Sequence, residues 1–240
     1  MSNFFTTGFD NFARWKHFSA TLLPQRCVLC DALSGMQLLC DRCARTLPPL
    51  PSHCPQCASP TAAGRHCGRC LTHPPAFAAT RCAFAYAYPL DALVHALKYG
   101  GRTAHAAIFA EALAALPAPR PDCIVPLPLS VARQRERGYN QAAEIARHLG
   151  RLLGVPVVEG LRRTRDTAPQ ATLPLRHRHA NVRAAFAVTA LLAGARVALV
   201  DDVMTTGATL DAAARAARAA GARTVEAWIG ARTLPPGSPS

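Results

Sequence analysis

The segment 196–220, with the sequence RVALVDDVMTTGATLDAAARAARAA, constrains the fold of this chain most strongly. A short apolar run leads into a pair of aspartates, then into a threonine-threonine-glycine turn and an alanine-rich stretch without proline. This order predicts a buried strand, a tight turn and a helix. The first amides of a helix have no partner within the helix, and the helix dipole is positive there, so the turn predicts an anion site. Its donors would come from Thr205, Thr206, Gly207 and Thr209.

The acidic pair, Asp201 and Asp202, requires a different ligand, because carboxylates repel an anion. Carboxylates suit the neutral hydroxyls of a ribose, or a divalent cation. A sugar diol at one end and a phosphate at the other describe a ribose 5-phosphate. The alternative is an ordinary helix start with aspartate and threonine caps, but the joint pattern DDxxTTGxT favours the site. A nucleoside triphosphate site at VALVDD is set aside, since the sequence has no GxxxxGK[ST] motif.

Eight of the ten cysteines form four CxxC pairs, separated by nine, ten and nine residues. Two pairs supply four thiolates, which suit tetrahedral zinc, and so short a cysteine-rich segment cannot easily form a core without metal. The sequence predicts two structural zinc sites, with sequential pairing favoured over a cross-braced one because each half then forms a compact ribbon. An iron–sulfur centre, or ligation by His53 or His66, is the alternative. Cys82 and Cys123 are predicted core thiols. The predicted ligands are Cys27, Cys30, Cys40, Cys43, Cys54, Cys57, Cys67 and Cys70.

The 240-residue chain has a formal net charge of +13, and all but two of its 27 basic residues are arginine. This excess predicts an anionic partner, either nucleic acid or a phosphorylated metabolite. No apolar run reaches the ~18 residues that cross a membrane, and the amino terminus lacks the apolar region of a signal peptide, so a cytoplasmic location is expected. Residues 1–24 carry an aromatic stripe at helical spacing, to which we assign no function.

Two cations border a predicted helix. The sequence LDALVHALKYGGR predicts a helix that ends at Gly100 and Gly101, flanked by Lys98 and Arg102. These cations either answer the helix dipole or contact a phosphate.

An arginine-rich turn is predicted between a buried strand at 123–126 and a helix from about Asn140. Its cations, including Arg133 and Arg137, either stabilise a departing pyrophosphate or form a solvated basic face. The polar, basic segment 160–183 is typical of a lid or binding loop. Single-stranded DNA would find the right charge there but few aromatic rings, which predicts salt-sensitive binding with weak sequence preference.

These motifs resemble a known family. VDDVMTTGATL is similar to the 5-phosphoribosyl-1-pyrophosphate (PRPP) motif of type I phosphoribosyltransferases. With LLPQRCVLC, LKYGGR, VPLPLS, RERGYNQ and TAPQATLPLRHRHANV, most of the chain resembles the ComF family, phosphoribosyltransferase-like proteins with an amino-terminal zinc module that are associated with DNA uptake and use. The implied PRPP-binding residues are Asp201, Asp202, Val203, Met204, Thr205, Thr206, Gly207, Ala208 and Thr209, of which Asp201 and Asp202 hold the ribose hydroxyls. The implied pyrophosphate or anion contacts are Lys98, Arg102, Arg133 and Arg137.

The expected fold is α/β: a mostly parallel, phosphoribosyltransferase-like sheet flanked by helices and preceded by a small zinc-ribbon module. The expected modules are an amphipathic helix at 1–24, a double zinc ribbon at 25–73, a phosphoribosyltransferase-like domain at 78–233 and a disordered tail at 234–240. The expected activity is Mg²⁺-dependent transfer of a phosphoribosyl group from PRPP to a nitrogen base, with Asp201 and Asp202 as catalytic residues. The alternatives are a non-catalytic PRPP sensor and a single-stranded-DNA-binding protein that acts with other DNA-uptake proteins.

Overall fold

The computed structural model describes residues 25–164 and 186–235. Contacts divide the chain into two compact units, Met1–Leu47 and Pro48–Ser240. The second group of four cysteines therefore belongs to the same unit as the sheet. Within the described ranges, no helix is both long and apolar enough to cross a bilayer.

Some predictions fall wholly or mainly outside the described residues. These are the aromatic helix at 1–24, most of the basic segment at 160–183 and most of the tail at 234–240. The module boundaries at 25–73 and 78–233 stay a prediction.

The first unit holds its four cysteines on two short structures. A two-stranded antiparallel ribbon places Cys27 and Cys30 in the turn between its strands, where the amide of Asp31 donates to the carbonyl of Cys27 at 2.9 Å. Cys40 caps the amino end of a helix that contains Cys43. The elements are β1 (Gln25–Arg26), β2 (Leu33–Gly35) and α1 (Asp41–Thr46).

The second unit is built on a four-stranded parallel sheet, with helices connecting its strands. Its elements in chain order are α2 (Gly68–Thr72), β3 (Thr80–Ala85), α3 (Leu90–Tyr99), α4 (Ala106–Ala114), β4 (Cys123–Pro126), α5 (Val131–Arg137), α6 (Gln141–Leu153), β5 (Leu161–Arg163), β6 (Phe186–Val188), β7 (Arg196–Met204), α7 (Ala208–Ala219) and β8 (Thr224–Arg232), with short 3-10 turns at Ala62–Gly64 and Thr103–His105. The strand order is β3-β8-β7-β4, and β5 pairs with β6 in a separate antiparallel ribbon.

Strand β7 lies inside the sheet because its apolar residues can be buried on both faces. Val197 and Leu199 belong to one buried cluster with Leu210 and Ala213 of α7. Because side chains alternate along a strand, the intervening residues face the other layer, where α6 packs against β4 and β7. The arrangement places the carboxyl end of β7 beside the carboxyl ends of β4 and β8.

The parallel sheet with flanking helices confirms the predicted α/β class. The strand at 123–126, the helix ending at Gly100 and the strand-turn-helix at 196–220 are confirmed as well. Cys82 and Cys123 are buried as expected, and burial raises the pKa of the Cys82 thiol to about 12.

One local prediction was wrong. The arginine-rich segment after β4 is a helix, α5, rather than a turn; Ser130 caps it by accepting from the amide of Arg133, and Gly138 ends it in the left-handed conformation. Strand β7 includes the two aspartates, as predicted, and runs on to Met204, because β8 keeps pairing with it to that residue.

Candidate functional site

The turn between β7 and α7 is held open at the carboxyl edge of the sheet. Thr205 and Thr206 are exposed, and Gly207 caps α7 with a φ of 79°, which favours glycine. A Cβ at this position would collide with the terminal methyl of Met204 and contact the ring of Phe77 at 3.9 Å. The positive φ is what favours glycine at this turn, since the flexible end of Met204 can shift to admit a Cβ.

The turn presents backbone donors without partners. Among the described residues, the amides of Thr205, Thr206 and Gly207 donate no hydrogen bond. The Thr206 hydroxyl accepts from the amide of Ala208 at 3.3 Å, and Thr209 is exposed in the first turn of α7. Successive unpaired amides at a helix start, with hydroxyls beside them, form a concavity that suits a phosphate.

The acidic pair lies just before this turn, with both carboxylates braced by the backbone. Asp201 is half-buried, and its Oδ1 accepts from the amide of Asp202 at 2.9 Å. Asp202 is only 8% exposed, and its Oδ1 accepts from the amide of Val203 at 2.7 Å. Burial, followed by the negative charge of Asp202, raises the pKa of Asp201 well above its ordinary value.

Lys98 neutralises the more buried aspartate. Its Nζ lies 3.1 Å from Asp202 Oδ2, while that oxygen accepts no directed hydrogen bond within the described residues. Lys98 of α3, predicted to contact a phosphate, thus pairs with Asp202, predicted to contact the ribose, although the two residues are far apart in the sequence. Arg102 does not join this group: it is exposed and forms no side-chain hydrogen bond or ion pair within the described part of the chain.

The side chain of Arg137, from α5, packs against the carboxyl end of α3, which also carries Lys98. Its guanidinium donates to Gln141 Oε1 at 3.1 Å and to the Tyr99 hydroxyl at 3.3 Å, and lies 5.0 Å from the Tyr99 ring centroid. The hydroxyl of Tyr139 donates to the carbonyl of Leu97. Arg133 is exposed on α5, and no side-chain hydrogen bond or ion pair links it to the acidic pair within the described residues.

Asn140 fixes the junction between α5 and α6. Its Oδ1 caps α6 through the amide of Ala142 at 3.0 Å, and its Nδ2 donates to the carbonyl of Leu127 at 2.9 Å. Leu127 follows β4 directly, so this contact ties the junction to the carboxyl edge of the sheet.

A cavity of about 740 Å³ opens at the end of β4. Pro126 lines it and pairs with Val200, the residue before the acidic pair, so the cavity and the aspartates share one edge of the sheet. Its walls combine apolar residues with charges of both signs. The lining includes Leu129, Arg135, Tyr139, Glu144 and Leu161.

The eight paired cysteines form two clusters with sequential pairing, as predicted. Cys27, Cys30, Cys40 and Cys43 have their sulfur atoms within 4.8 Å of one another, and so do Cys54, Cys57, Cys67 and Cys70. A tetrahedron of thiolates with zinc–sulfur bonds of ~2.3 Å has an edge of about 3.8 Å. The distances of 3.7 Å from Cys30 to Cys40 and 3.6 Å from Cys57 to Cys67 fit that geometry. His53 and His66 belong to neither cluster.

Sequence reasoning missed three residues around the turn. Arg232, at the end of β8, donates to the carbonyls of Met204 and Thr205. Arg69 donates to the carbonyl of Thr206 at 3.3 Å, and Phe77 packs under Gly207. Nothing in the local pattern around these residues indicates such contacts, since Arg69 and Phe77 lie more than a hundred residues from the turn and Arg232 lies 28 residues from Met204.

Comparison with known proteins gives two family matches. Residues 18–71 match the double zinc ribbon domain, and residues 135–231 match the phosphoribosyl transferase domain. The chain is 37% identical over 227 residues to DNA utilization protein YhgH of Escherichia coli O157:H7, which covers 88% of this chain and 99% of that protein. It is 32% identical over 206 residues to competence protein F of Haemophilus influenzae, covering 79% of this chain and 88% of that protein.

Among solved structures, the chain is similar to the glutamine PRPP amidotransferase of B. subtilis in complex with ADP and GMP. The identity is 21% and the TM-score 0.42, over 56% of this chain and 30% of that one, so this chain spans less than a third of that structure. The fold of the second unit is that of a phosphoribosyltransferase-like domain, as the match at 135–231 and the parallel sheet indicate.

We expect the purified chain to hold two zinc ions, one in each cluster. Cys40→Ser in the first cluster and Cys67→Ser in the second should each lower the content to one, because three thiolates hold zinc far more weakly than four. Native mass spectrometry measures this directly. Cys82→Ser, which alters a buried thiol outside both clusters, is the control and should retain two ions. Retention of two ions by Cys67→Ser would exclude the predicted ligand set.

We expect Asp201→Asn to stabilise the protein, and to do so increasingly as the pH rises above the ordinary pKa of an aspartate, about 4. A carboxyl group whose pKa is raised on folding costs stability as the pH rises above its unfolded pKa, because the native state retains a proton that the unfolded state has lost. The gain cannot exceed about 1.4 kcal/mol per pH unit. Thermal unfolding at several pH values, compared with wild type, measures it.

Asp122→Asn provides the matched control with the opposite sign. Hydrogen bonds from the amide and guanidinium of Arg196 lower the pKa of Asp122. Its contribution is present above the unfolded pKa, so this variant should be destabilised by a similar amount at each pH in the same range. A pH-independent effect of Asp201→Asn would contradict the raised pKa.

Proposed function

Because the chain belongs to the ComF family of DNA utilization and competence proteins, we propose that it binds PRPP with Mg²⁺ and transfers the phosphoribosyl group to a nitrogen base. The observation that carries this proposal is the set of three amides without acceptors among the described residues, which lie near one buried and one half-buried carboxylate at the carboxyl edge of one parallel strand. Hydroxyl acceptors at 201–202 and phosphate donors at 205–207 then follow each other along the chain, in the order that a ribose 5-phosphate requires.

The turn at 205–209 binds the 5′-phosphate. The amides of Thr205, Thr206 and Gly207 donate to its oxygens, with the hydroxyls of Thr206 and Thr209 beside them. Because these amides have no protein partner within the described residues, binding replaces water rather than an internal hydrogen bond.

Asp201 and Asp202 accept hydrogen bonds from the ribose hydroxyls. The buried Oδ2 of Asp202 is paired by charge with Lys98 and accepts no directed hydrogen bond in the described part of the chain, so it can still accept one from the sugar. Its carboxylate oxygens and the PRPP oxygens also suit Mg²⁺, which takes one or two carboxylates together with substrate phosphates. When bound, the ion neutralises charge on the pyrophosphate.

Cations on α3 and α5 would complete the pyrophosphate site. Lys98 pairs with Asp202 and directly precedes Tyr99, against which Arg137 packs. On binding, the pyrophosphate would share these two cations with their protein partners. During transfer, the bond from the anomeric carbon to pyrophosphate breaks and its electron pair leaves with the pyrophosphate. The acceptor nitrogen bonds to that carbon and loses a proton to solvent, and the cations stabilise the departing charge.

The cavity beside β4 is the space that we propose for the acceptor. Tyr139 and Leu129 offer flat and apolar surfaces to a planar base, and Glu144 offers an acceptor for an N–H group. The cavity and the acidic pair share the same edge of the sheet, which supports an acceptor site next to the proposed ribose site.

Isothermal titration of the full chain with PRPP and Mg²⁺ tests the binding step. We expect saturable binding, and Asp202→Asn should weaken it by about 10- to 100-fold, because a charged hydrogen-bond acceptor for the ribose is lost. Asp122→Asn removes a carboxylate at the opposite, amino-terminal end of β4 and should bind as wild type does. If folded wild-type protein binds no PRPP at millimolar concentration, the proposal is wrong. Pyrophosphate release with candidate bases then separates an enzyme from a PRPP sensor, which binds without turnover.

The second candidate function is binding of single-stranded DNA, and the exposed face of α5 favours it. No residue of this helix is buried, and Arg133 and Arg135 are fully on the surface. The net charge of +13 points to an anionic partner, and relatives carry names that refer to DNA utilization and competence.

Fluorescence anisotropy with a labelled single-stranded oligonucleotide tests this second function. Binding should weaken with salt, and the double variant Arg133→Gln/Arg135→Gln should reduce the slope of log K against log [salt] by about 1.4, since each lost phosphate contact on a single strand removes ~0.7. Arg215→Gln/Arg223→Gln removes the same charge from another exposed surface and is the control. Equal slopes for the two double variants would exclude α5 as the DNA contact.

A further inference from the structure

Arg232 has a buried guanidinium that joins the second cysteine cluster to residues 205–209, which we call the phosphate turn. It is 6% exposed. Its Nε donates to the carbonyl of Cys57 at 3.2 Å, and its Nη2 donates to Ser59 Oγ at 3.2 Å. Its Nη1 donates to the carbonyls of Met204 at 3.1 Å, Thr205 and Thr233 at 2.7 Å. The side chain therefore connects residues 57–59 with both strands that end at the candidate site.

The charge of this guanidinium has no carboxylate partner among the described residues. Burial of an unpaired cation is costly, so a compensating negative charge is required. The second cluster supplies one, because four thiolates around one Zn²⁺ leave a net negative charge, and Cys57 belongs to that cluster. The loaded metal site and Arg232 thus stabilise each other electrostatically.

A second arginine extends the same connection to the next residue of the turn. Arg69 lies in α2, between the cluster ligands Cys67 and Cys70, and donates to the carbonyl of Thr206 at 3.3 Å. Three consecutive carbonyls, those of residues 204, 205 and 206, therefore accept hydrogen bonds from guanidinium groups on the side of the second cluster.

This arrangement fixes the direction of the phosphate-binding amides. In a planar trans peptide the N–H of one residue points opposite to the C=O of the residue before it. Carbonyls of 204–206 that face the cluster turn the amides of Thr205, Thr206 and Gly207 away from it, toward the open side of the turn. These three amides are the ones that donate to no protein group within the described residues.

The segment that follows the cluster packs beneath the same turn. Phe77 is 1% exposed and lies under Gly207. The amide of Ala76 donates to Asp211 Oδ1 in the first turn of α7 at 2.6 Å, and Gln56, between two cluster ligands, donates to the carbonyl of Phe77 at 3.2 Å. The cluster, this segment and the start of α7 form one connected body.

We propose that Arg232 and Arg69 are positioning residues through which metal occupancy of the second cluster sets the conformation, and hence the ligand affinity, of the phosphate turn. The first cluster lies in the other compact unit and serves as the internal comparison. The proposal about affinity rests on the proposed function, whereas the proposal about conformation does not.

Hydrogen exchange at two amides reports the conformation without any ligand. The amide of Thr233 donates to the carbonyl of Met204 at 3.0 Å, and that of Asp211 donates to the carbonyl of Gly207 at 2.9 Å, so both are protected only while the turn holds its shape. In full-length protein, Cys67→Ser should increase their exchange about tenfold or more. Cys40→Ser, which removes a ligand of the first cluster, should leave them unchanged.

Arg69→Gln leaves all eight cluster cysteines in place, so its effect on the phosphate turn can be distinguished from unfolding of the second cluster. It should retain two zinc ions and weaken PRPP binding about tenfold, because one carbonyl of the turn loses its charged donor. Arg65→Gln alters an exposed arginine three residues before Gly68 and is the matched control, with unchanged affinity expected. Unchanged exchange in Cys67→Ser together with unchanged affinity in Arg69→Gln would overturn the proposal. If wild type binds no PRPP, the proposed function fails, and the exchange comparison still decides the coupling.

Discussion

Backbone amides that have no protein partner are the constraint on which the rest of this structure depends. Within residues 25–164 and 186–235, the amides of Thr205, Thr206 and Gly207 in the turn between β7 and α7 have no acceptor, which is tolerable only where they face solvent or a ligand. Their direction follows from that of the preceding carbonyls, and those carbonyls are held by two guanidinium groups. The left-handed conformation of Gly207 and the ring of Phe77 that packs under it support the same shape of the turn. The shape of the candidate site is thus set mainly by residues on the side of the second cysteine cluster, which do not line its open side.

Buried charge is balanced in two separate ways around the site. On the α3 side, Lys98 neutralises Asp202, so this buried carboxylate is not isolated. On the side of the second cysteine cluster, Arg232 is surrounded by neutral oxygens and is balanced by thiolates. The first pair lies at the candidate site itself. The second balance is structural, because all three nitrogens of the Arg232 side chain already donate to protein oxygens.

The sequence predicted the features that depend on nearby residues. The strand-turn-helix at 196–220 and the four CxxC pairs are local patterns, and the structure has both. The arginine-rich segment after β4 was wrongly predicted as a turn, because its charge obscured the serine cap and the glycine stop that define α5. The Arg232 contact with Cys57 spans 175 residues, and no local period or spacing encodes such a contact. The family resemblance supplied the candidate ligands, whereas the arginines that position the turn had to come from the structure.

The contact boundary between Leu47 and Pro48 has a practical meaning for anyone who dissects this chain. A fragment trimmed to the sheet and its helices, beginning after Cys70, the last cluster ligand, would expose the ring of Phe77 and remove the neighbours of Arg232 at Cys57 and Ser59. The smallest excised piece that keeps these contacts begins near Pro48 and includes the second cysteine cluster. The match to the zinc-ribbon family ends at residue 71 and suggests a cut there, whereas the contacts within the chain suggest a cut between Leu47 and Pro48.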